Sequence, residues 1–292
     1  LHSSMFCSES DYIPLDPWPD KWIHGASGEE SIQVHRICEG LYTIRLSKHI
    51  HYEGNFIYLI IGNNQAILFD TFPIHITDIS LIKIIRSLIT HTSKQIHLPL
   101  IIAHTHSHDD HIGGDIAFHN IKNVTIVGYG IECVAKFFGL PNPSLRSYPY
   151  NLDEIVSFEL GGRELEIFFI PGHFPDHIAI YDKMSGVLLT GDFLYPGRLY
   201  VQHRMDFVHS AKLLNEFIRD RHISAVLGSH IEMTSTANVD YPTGTRFQPD
   251  EPPLALQRED IEVLHEAVQK AHTDCSDTWH SIPCGRFIVQ PL

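Results

Sequence analysis

A chain of 292 residues with 43% hydrophobic composition is long enough for one large domain, or one domain with appendages. No apolar stretch approaches the roughly 18 residues that a membrane helix needs. With 21 Lys+Arg against 35 Asp+Glu the formal charge is −14, which disfavours nucleic acid as a partner because phosphate binding needs a basic surface.

In chain order, residues 1–36 carry Pro14-Leu15-Asp16-Pro17-Trp18-Pro19. Prolines at this density forbid regular helix or sheet, so this stretch reads as an extended arm laid on the domain by Trp18 and Trp22. A homo-oligomer contact and a wall of the substrate pocket are the other roles open to the arm. Residues 37–292 read as one domain. Strands are expected over 42–46, 55–61 and 65–69, with Gly62-Asn63-Asn64 as the hairpin turn between the last two. An amphipathic helix follows near 77–90, with Leu81, Ile82, Ile85, Leu88 and Ile89 three and four apart. The apolar run 99–103 reads as a buried strand, although a helix segment fits its periodicity equally. Residues 124–127 are a further strand and 131–138 a short helix. Leu165, Ile167 and Phe169 alternate along a strand over 164–170. Strands at 178–181 and 187–189 flank the turn Lys183-Met184-Ser185-Gly186, a helix covers 209–219, and a strand covers 225–227. Residues 231–292 form a C-terminal loop, a helix over 258–271 and an edge strand over 284–289. The loop, rich in turn residues from Tyr241 to Pro253, is a candidate pocket wall.

The most informative segment lies between the first strands and the 131–138 helix: His106-x-His108-x-Asp110-His111, followed at once by Gly113-Gly114. Imidazoles and a carboxylate this dense do not suit a hydrophobic core, because buried polar side chains need partners. Together they are the donor types that Zn²⁺ and Fe²⁺ take. A register starting at His104 gives the His and Asp in reversed order, so His104 and Asp109 read as neighbours of the cluster rather than ligands. The two glycines let the backbone turn tightly beside it. Of the 22 histidines the remainder read mostly as surface residues. The five cysteines, Cys7, Cys38, Cys133, Cys275 and Cys284, show no Cys-x-x-Cys spacing. Cys275 and Cys284 have the spacing to pair across a short loop, or all stay as thiols. The compartment is open, with cytoplasm favoured over export.

This segment resembles the mark of the metallo-β-lactamase superfamily. Three downstream motifs agree in order: Pro171-Gly172-His173, Thr190-Gly191-Asp192 and Gly228-Ser229-His230. The resemblance implies an α+β fold, a four-layer αβ/βα sandwich with the metals at the sheet edge between two halves. Carried over by position, it implies one metal on His106, His108 and His173, a second on Asp110, His111 and His230, and Asp192 shared. Two divalent cations set against Asp110, Asp192 and a bridging hydroxide leave one net positive charge, suited to a developing oxyanion. It further implies a dinuclear zinc hydrolase of an ester, lactone, thioester or amide carbonyl in a small-molecule substrate. Asp110 would orient the nucleophile or carry a proton, and Tyr195 would donate to the oxyanion or else merely pack beside the site. Asp70 at a strand end would support the ligands, as relatives place an Asp there; by residue type alone it is a turn residue. The rival reading is a mononuclear iron (Fe²⁺) oxidoreductase of the persulfide dioxygenase type. Known β-lactamases with Cys at the Asp192 position, or with no bridging residue, put antibiotic hydrolysis in doubt here.

Overall fold

In the computed structural model, which describes residues 12–73, 80–141, 154–274 and 279–292, two sheets lie face to face between helices. The first sheet holds β1 (Ile32–Cys38), β2 (Leu41–Leu46), β3 (Phe56–Ile61), β4 (Ala66–Phe69), β5 (Leu100–Ala103) and β6 (Val124–Ile126) in sequence order. β1 to β4 are antiparallel neighbours, and β4–β5 and β5–β6 are parallel. The second sheet orders β12 (Ala225–Gly228), β10 (Val187–Gly191), β9 (Ile178–Asp182), β8 (Glu164–Phe169) and β7 (Val156–Glu159), with only β10–β12 parallel. A small third sheet joins β11 (Arg198–Val201), β14 (Ile288–Pro291) and β13 (Ile282–Pro283).

The central strands are apolar on both faces because both faces are covered. On β3, Phe56, Tyr58 and Ile60 point into the core shared with the second sheet, while Ile57, Leu59 and Ile61 point the other way. β4 and β5 divide alike: Ile67, Phe69, Ile101 and Ala103 go inward, and Leu68, Leu100 and Ile102 go outward. The outward face is covered by α1 (Leu81–Ser93), whose buried Leu81, Ile85 and Ile89 recur every four residues. On the far side, α4 (Arg204–Phe217) lays Phe217 on Phe168 of β8 and Tyr181 of β9, at ring-centroid distances of 4.6 and 5.5 Å. α5 (Arg258–Thr273) packs beside α4 and buries Ile261, Leu264 and Val268 in the same core. The order is therefore helix, sheet, sheet, helix, the four-layer sandwich expected.

Several boundaries differ from the sequence expectation. The arm gives way to β1 at Ile32, before residue 36; the polar His35 and Arg36 mask an edge strand buried only toward its end. The described part of the arm before it, residues 12–31, lies on its own domain: the Asp16 N–H bonds Ile37 O at 2.7 Å, the Ile13 N–H bonds Met184 O at 2.9 Å, and Trp22 is buried. The final strand is not an edge, since β14 pairs with β11 on one side and β13 on the other. β7 and β11 were not anticipated, and α4 begins at Arg204 rather than near 209. The start of the 77–90 helix lies partly outside the described residues. Cys38, Cys133 and Cys284 are free thiols; Cys7 and Cys275 lie outside the described residues. No helix among the described residues is long and apolar enough to cross a membrane.

Candidate metal centre

The C-terminal ends of β4, β5, β8, β10 and β12 converge where the two sheets meet. Backbone bonds lace the sheets there: the Ile178 N–H donates to Thr105 O at 2.9 Å and the Phe56 N–H to Ser229 O at 2.8 Å. Beyond β5 the chain presents His106 and His108, then the one-turn helix α2 (Asp109–Ile112) with Asp110 and His111. His173 follows β8, Asp192 follows β10 and His230 follows β12. Gly172 holds φ at 130°, and a Cβ there would meet Phe207 Cα at 2.4 Å. Gly113 and Gly114 act differently from the tight turn expected. Their φ angles are ordinary helical values of −61° and −85°. What they allow is close approach: Cβ atoms there would lie 2.2 Å from Pro73 O and 1.9 Å from Thr71 O.

All seven expected ligand residues come together, as two groups. In one, His106 Nε2 and His173 Nε2 lie 2.8 and 3.0 Å from His108 Nδ1. In the other, His111 Nε2 lies 3.1 Å from Asp110 Oδ2 and 3.5 Å from Asp192 Oδ1, and His230 Nε2 lies 3.3 Å from each of the same two oxygens. A tetrahedral ion with bonds of about 2.0–2.1 Å spaces its ligands about 3.3–3.4 Å apart, so the second group has the dimensions of a coordination shell. The other oxygen of Asp192 lies 3.8 Å from His173 Nε2, which makes this carboxylate common to both groups. His111 Nε2 and Asp192 Oδ1 are buried and have no hydrogen-bond partner among the described residues. Orphaned buried polar atoms are costly, and a cation between them removes the cost.

The opposite ring nitrogens are held, which fixes the tautomers. His111 Nδ1–H donates to Asp70 Oδ2 at 2.9 Å, His173 Nδ1–H to Tyr200 O at 2.9 Å, His230 Nδ1–H to Glu53 O at 3.2 Å and His106 Nδ1–H to Thr105 Oγ1 at 3.2 Å. Asp70 is thus a support and not a bare turn residue. Its backbone is left-handed at φ 70°, and its carboxylate also accepts from the Thr105 amide at 2.8 Å. Such conformations in non-glycine residues cluster at functional sites.

Burial pushes His106 well below its ordinary pKa, lowers His108, and brings His173 down to about 4. The first group is therefore three neutral imidazoles with free lone pairs. In the second, burial opposes ionisation, but His111 and His230 hold the Asp110 and Asp192 carboxyls well below the usual range, and the carboxylates hold those two imidazoles well above theirs. The second group thus requires positive charge beside its carboxylates, which a divalent cation supplies in place of protons.

Tyr195 lines the same cavity, buried, with its ring 5.5 Å from that of His230. Its hydroxyl lies 2.5 Å from Arg198 O and 3.0 Å from Glu232 Oε2 as donor. That proton is engaged away from the ligand groups, so the geometry gives Tyr195 a packing position rather than a donor aimed at them. His104 lies outside both groups, with its Nε2 3.0 Å from Asp115 Oδ1, and Asp109 is exposed. The cavity, about 240 Å³, is walled by Tyr52, Glu53, Tyr200, Gln202 and Thr243, the last from the loop before α5. Sequence reasoning missed Asp176, which accepts from the Ser107 amide at 3.1 Å and the Gly130 amide at 2.9 Å. It also missed the buried His177. Both sit in the turn that carries His173, and their proximity to it was the available signal.

Residues 53–230 match a family model described as the metallo-β-lactamase superfamily. An acyl-coenzyme A thioesterase MBLAC2 of Gallus gallus is 26% identical over 159 residues, 46% of this chain and 57% of that protein. A hydroxyacylglutathione hydrolase of Synechococcus sp. (strain JA-3-3Ab) is 33% identical over 96 residues, 33% of this chain and 35% of that one. The chain thus spans about half or less of the length of these curated relatives. Among solved structures, TMB-1 superposes with a TM-score of 0.53 at 19% identity, covering 84% of this chain and 100% of that chain. A metallo-β-lactamase from Pontibacter korlensis gives 0.52 at 16%, covering 82% and 99%. These two likenesses concern the fold.

Proposed function

The chain belongs to the metallo-β-lactamase superfamily, and from its site we propose a dinuclear zinc-dependent hydrolase acting on an ester, thioester, lactone or amide carbonyl. The observation that carries this reading is the pair of ligand groups sharing the Asp192 carboxylate. His106, His108 and His173 would hold one zinc; Asp110, His111 and His230 would hold the other. When bound, zinc supplies a hydroxide near neutral pH and Lewis acidity toward the substrate oxygen.

The chain's own groups orient that chemistry. Asn55 Nδ2 donates to both the main-chain oxygen and Oδ2 of Asp110 at 3.1 Å, fixing a carboxylate that faces the cavity. Asp110 is thereby poised to orient the nucleophile or to pass a proton to the leaving group. Tyr52, Tyr200 and Gln202 wall the space where an acyl or leaving group would lie. Relatives named for acyl-coenzyme A and hydroxyacylglutathione hydrolysis support testing thioesters first.

Element-resolved mass spectrometry on protein purified without added metal tests the reading. About two zinc ions per chain, with turnover of a thioester, lactone or ester lost in His106→Ala, is expected. About one iron per chain with oxygen consumption would overturn it in favour of the oxidoreductase.

A further inference from the structure

His177 is fully buried and belongs to neither ligand group. Its ring lies parallel to that of His106, with centroids 4.8 Å apart and planes inclined by 16°. Its Nε2 accepts the backbone N–H of Asp192 at 3.1 Å. An acceptor nitrogen carries no proton, so the proton of the neutral ring sits on Nδ1. That Nδ1 is buried and has no hydrogen-bond partner among the described residues. A buried donor left unpaired is destabilising, so this imidazole is held in place at a cost to the fold.

The neighbouring backbone is shaped to the same contact. Gly191 has φ 49°, and a Cβ on it would come within 2.9 Å of His177 Nε2. Only a bare residue there lets the amide of Asp192 reach the ring. His177 closes the turn that begins with His173: its N–H bonds Phe174 O at 3.3 Å and its carbonyl accepts from the Ile170 N–H at 2.8 Å. One ring thus ties the turn that holds a ligand of the first group to the residue shared by both, while stacking on a second ligand.

We propose that His177 is a positioning residue: its Nε2 anchors the Asp192 backbone so that the carboxylate is held between the two ligand groups, where it would serve both metals. This rests on the two-metal reading above. The contact needs an acceptor at one point, a flat ring against His106 and no charge. Neutral histidine meets all three conditions, whereas phenylalanine lacks the acceptor and glutamine lacks the ring.

Two measurements test it. Zinc affinity is read by competition with a chromophoric chelator on the full chain, for wild type, His177→Phe and His177→Gln, with thermal melts of the metal-free forms as the folding control. Loss of a hydrogen bond that orients a ligand typically weakens metal affinity by roughly 10–100-fold. The Phe variant is expected to show that loss at one of the two zinc sites, and the Gln variant to recover much of it. Wild-type affinity in the Phe variant would overturn the proposal, as would equal losses in both variants. Nitrogen-15 NMR of the wild-type histidines needs no variant. It is expected to report His177 protonated at Nδ1, and a ring protonated at Nε2 would overturn the proposal. A wild-type chain that binds no zinc would instead defeat the two-metal reading.

Discussion

At the scale of single residues, the first part of the ligand set was readable because its members are chemically unusual in their surroundings: His106, His108, Asp110 and His111 sit within one short stretch. His173, Asp192 and His230 each end an apolar run at a turn, as ordinary residues also do, and were readable only through the family resemblance. The groups that support them carry no such mark. Asp70 follows a strand as many turn aspartates do, and only its left-handed backbone and its contacts with Thr105 and His111 set it apart. Asp70→Asn keeps a residue type that tolerates this conformation and removes the charge facing His111 Nδ1–H. Zinc affinity is expected to fall roughly tenfold or more, and the metal-free melting temperature to fall as well, because the Asn amide turns a donor toward Thr105 or His111. Chelator competition and calorimetry check this, and unchanged affinity would show that the Asp70 charge is immaterial to the metals.

At the scale of elements, β3, β4 and β5 were legible because each face must be apolar and their sequences obey that rule. β7 and β11 were not, since runs of four residues mixing charged and apolar types carry almost no period. The arm followed its prolines but ended early, where β1 took over. Its anchor makes a pH prediction. His35 is flanked by the rings of Trp18 and Trp22, at centroid distances of 5.4 and 5.7 Å, and its Nε2 is buried without a hydrogen-bond partner among the described residues. Burial lowers its pKa against the opposing pull of Asp16. With the arm released, the exposed His35 takes up a proton near pH 6.5, while under the docked arm it resists protonation. Docking is therefore fully favourable above that pH and weakens as pH falls below it. Tryptophan fluorescence and limited proteolysis are expected to report loosening as the pH falls below about 6.5, and His35→Phe to remove that dependence. A wild-type arm indifferent to this range would refute the assignment.

At the scale of the molecule, the sandwich was expected from the family resemblance that the ligand motifs carry, and it is an arrangement in which two apolar sheets with amphipathic helices bury both faces. The third sheet was not, because its strands are distant in sequence and short. The ligands come from both main sheets: β5 in the first, and β8, β10 and β12 in the second. Binding to the folded state alone stabilises it by about 4 kcal/mol when free ligand is a thousandfold above its dissociation constant. Chelation is accordingly expected to lower the melting temperature by several degrees and restoring zinc to recover it. A melt insensitive to chelator would mean that no metal joins the sheets.

The loop segment from Tyr241 to Pro253, before α5, has two unlike ends. Near its close, Glu251 receives both guanidinium nitrogens of Arg45 at 2.6 Å, and neither side chain is appreciably exposed. Near its start, Thr243 faces the cavity. Breaking a buried ion pair on one side costs about 3–5 kcal/mol, so that end resists change, whereas a substitution at Thr243 alters what the cavity admits without disturbing the anchor. Variation in this segment can thus reshape substrate preference while leaving the fold intact, which makes residue 243 and its immediate neighbours the natural starting point for redirecting the site by directed evolution.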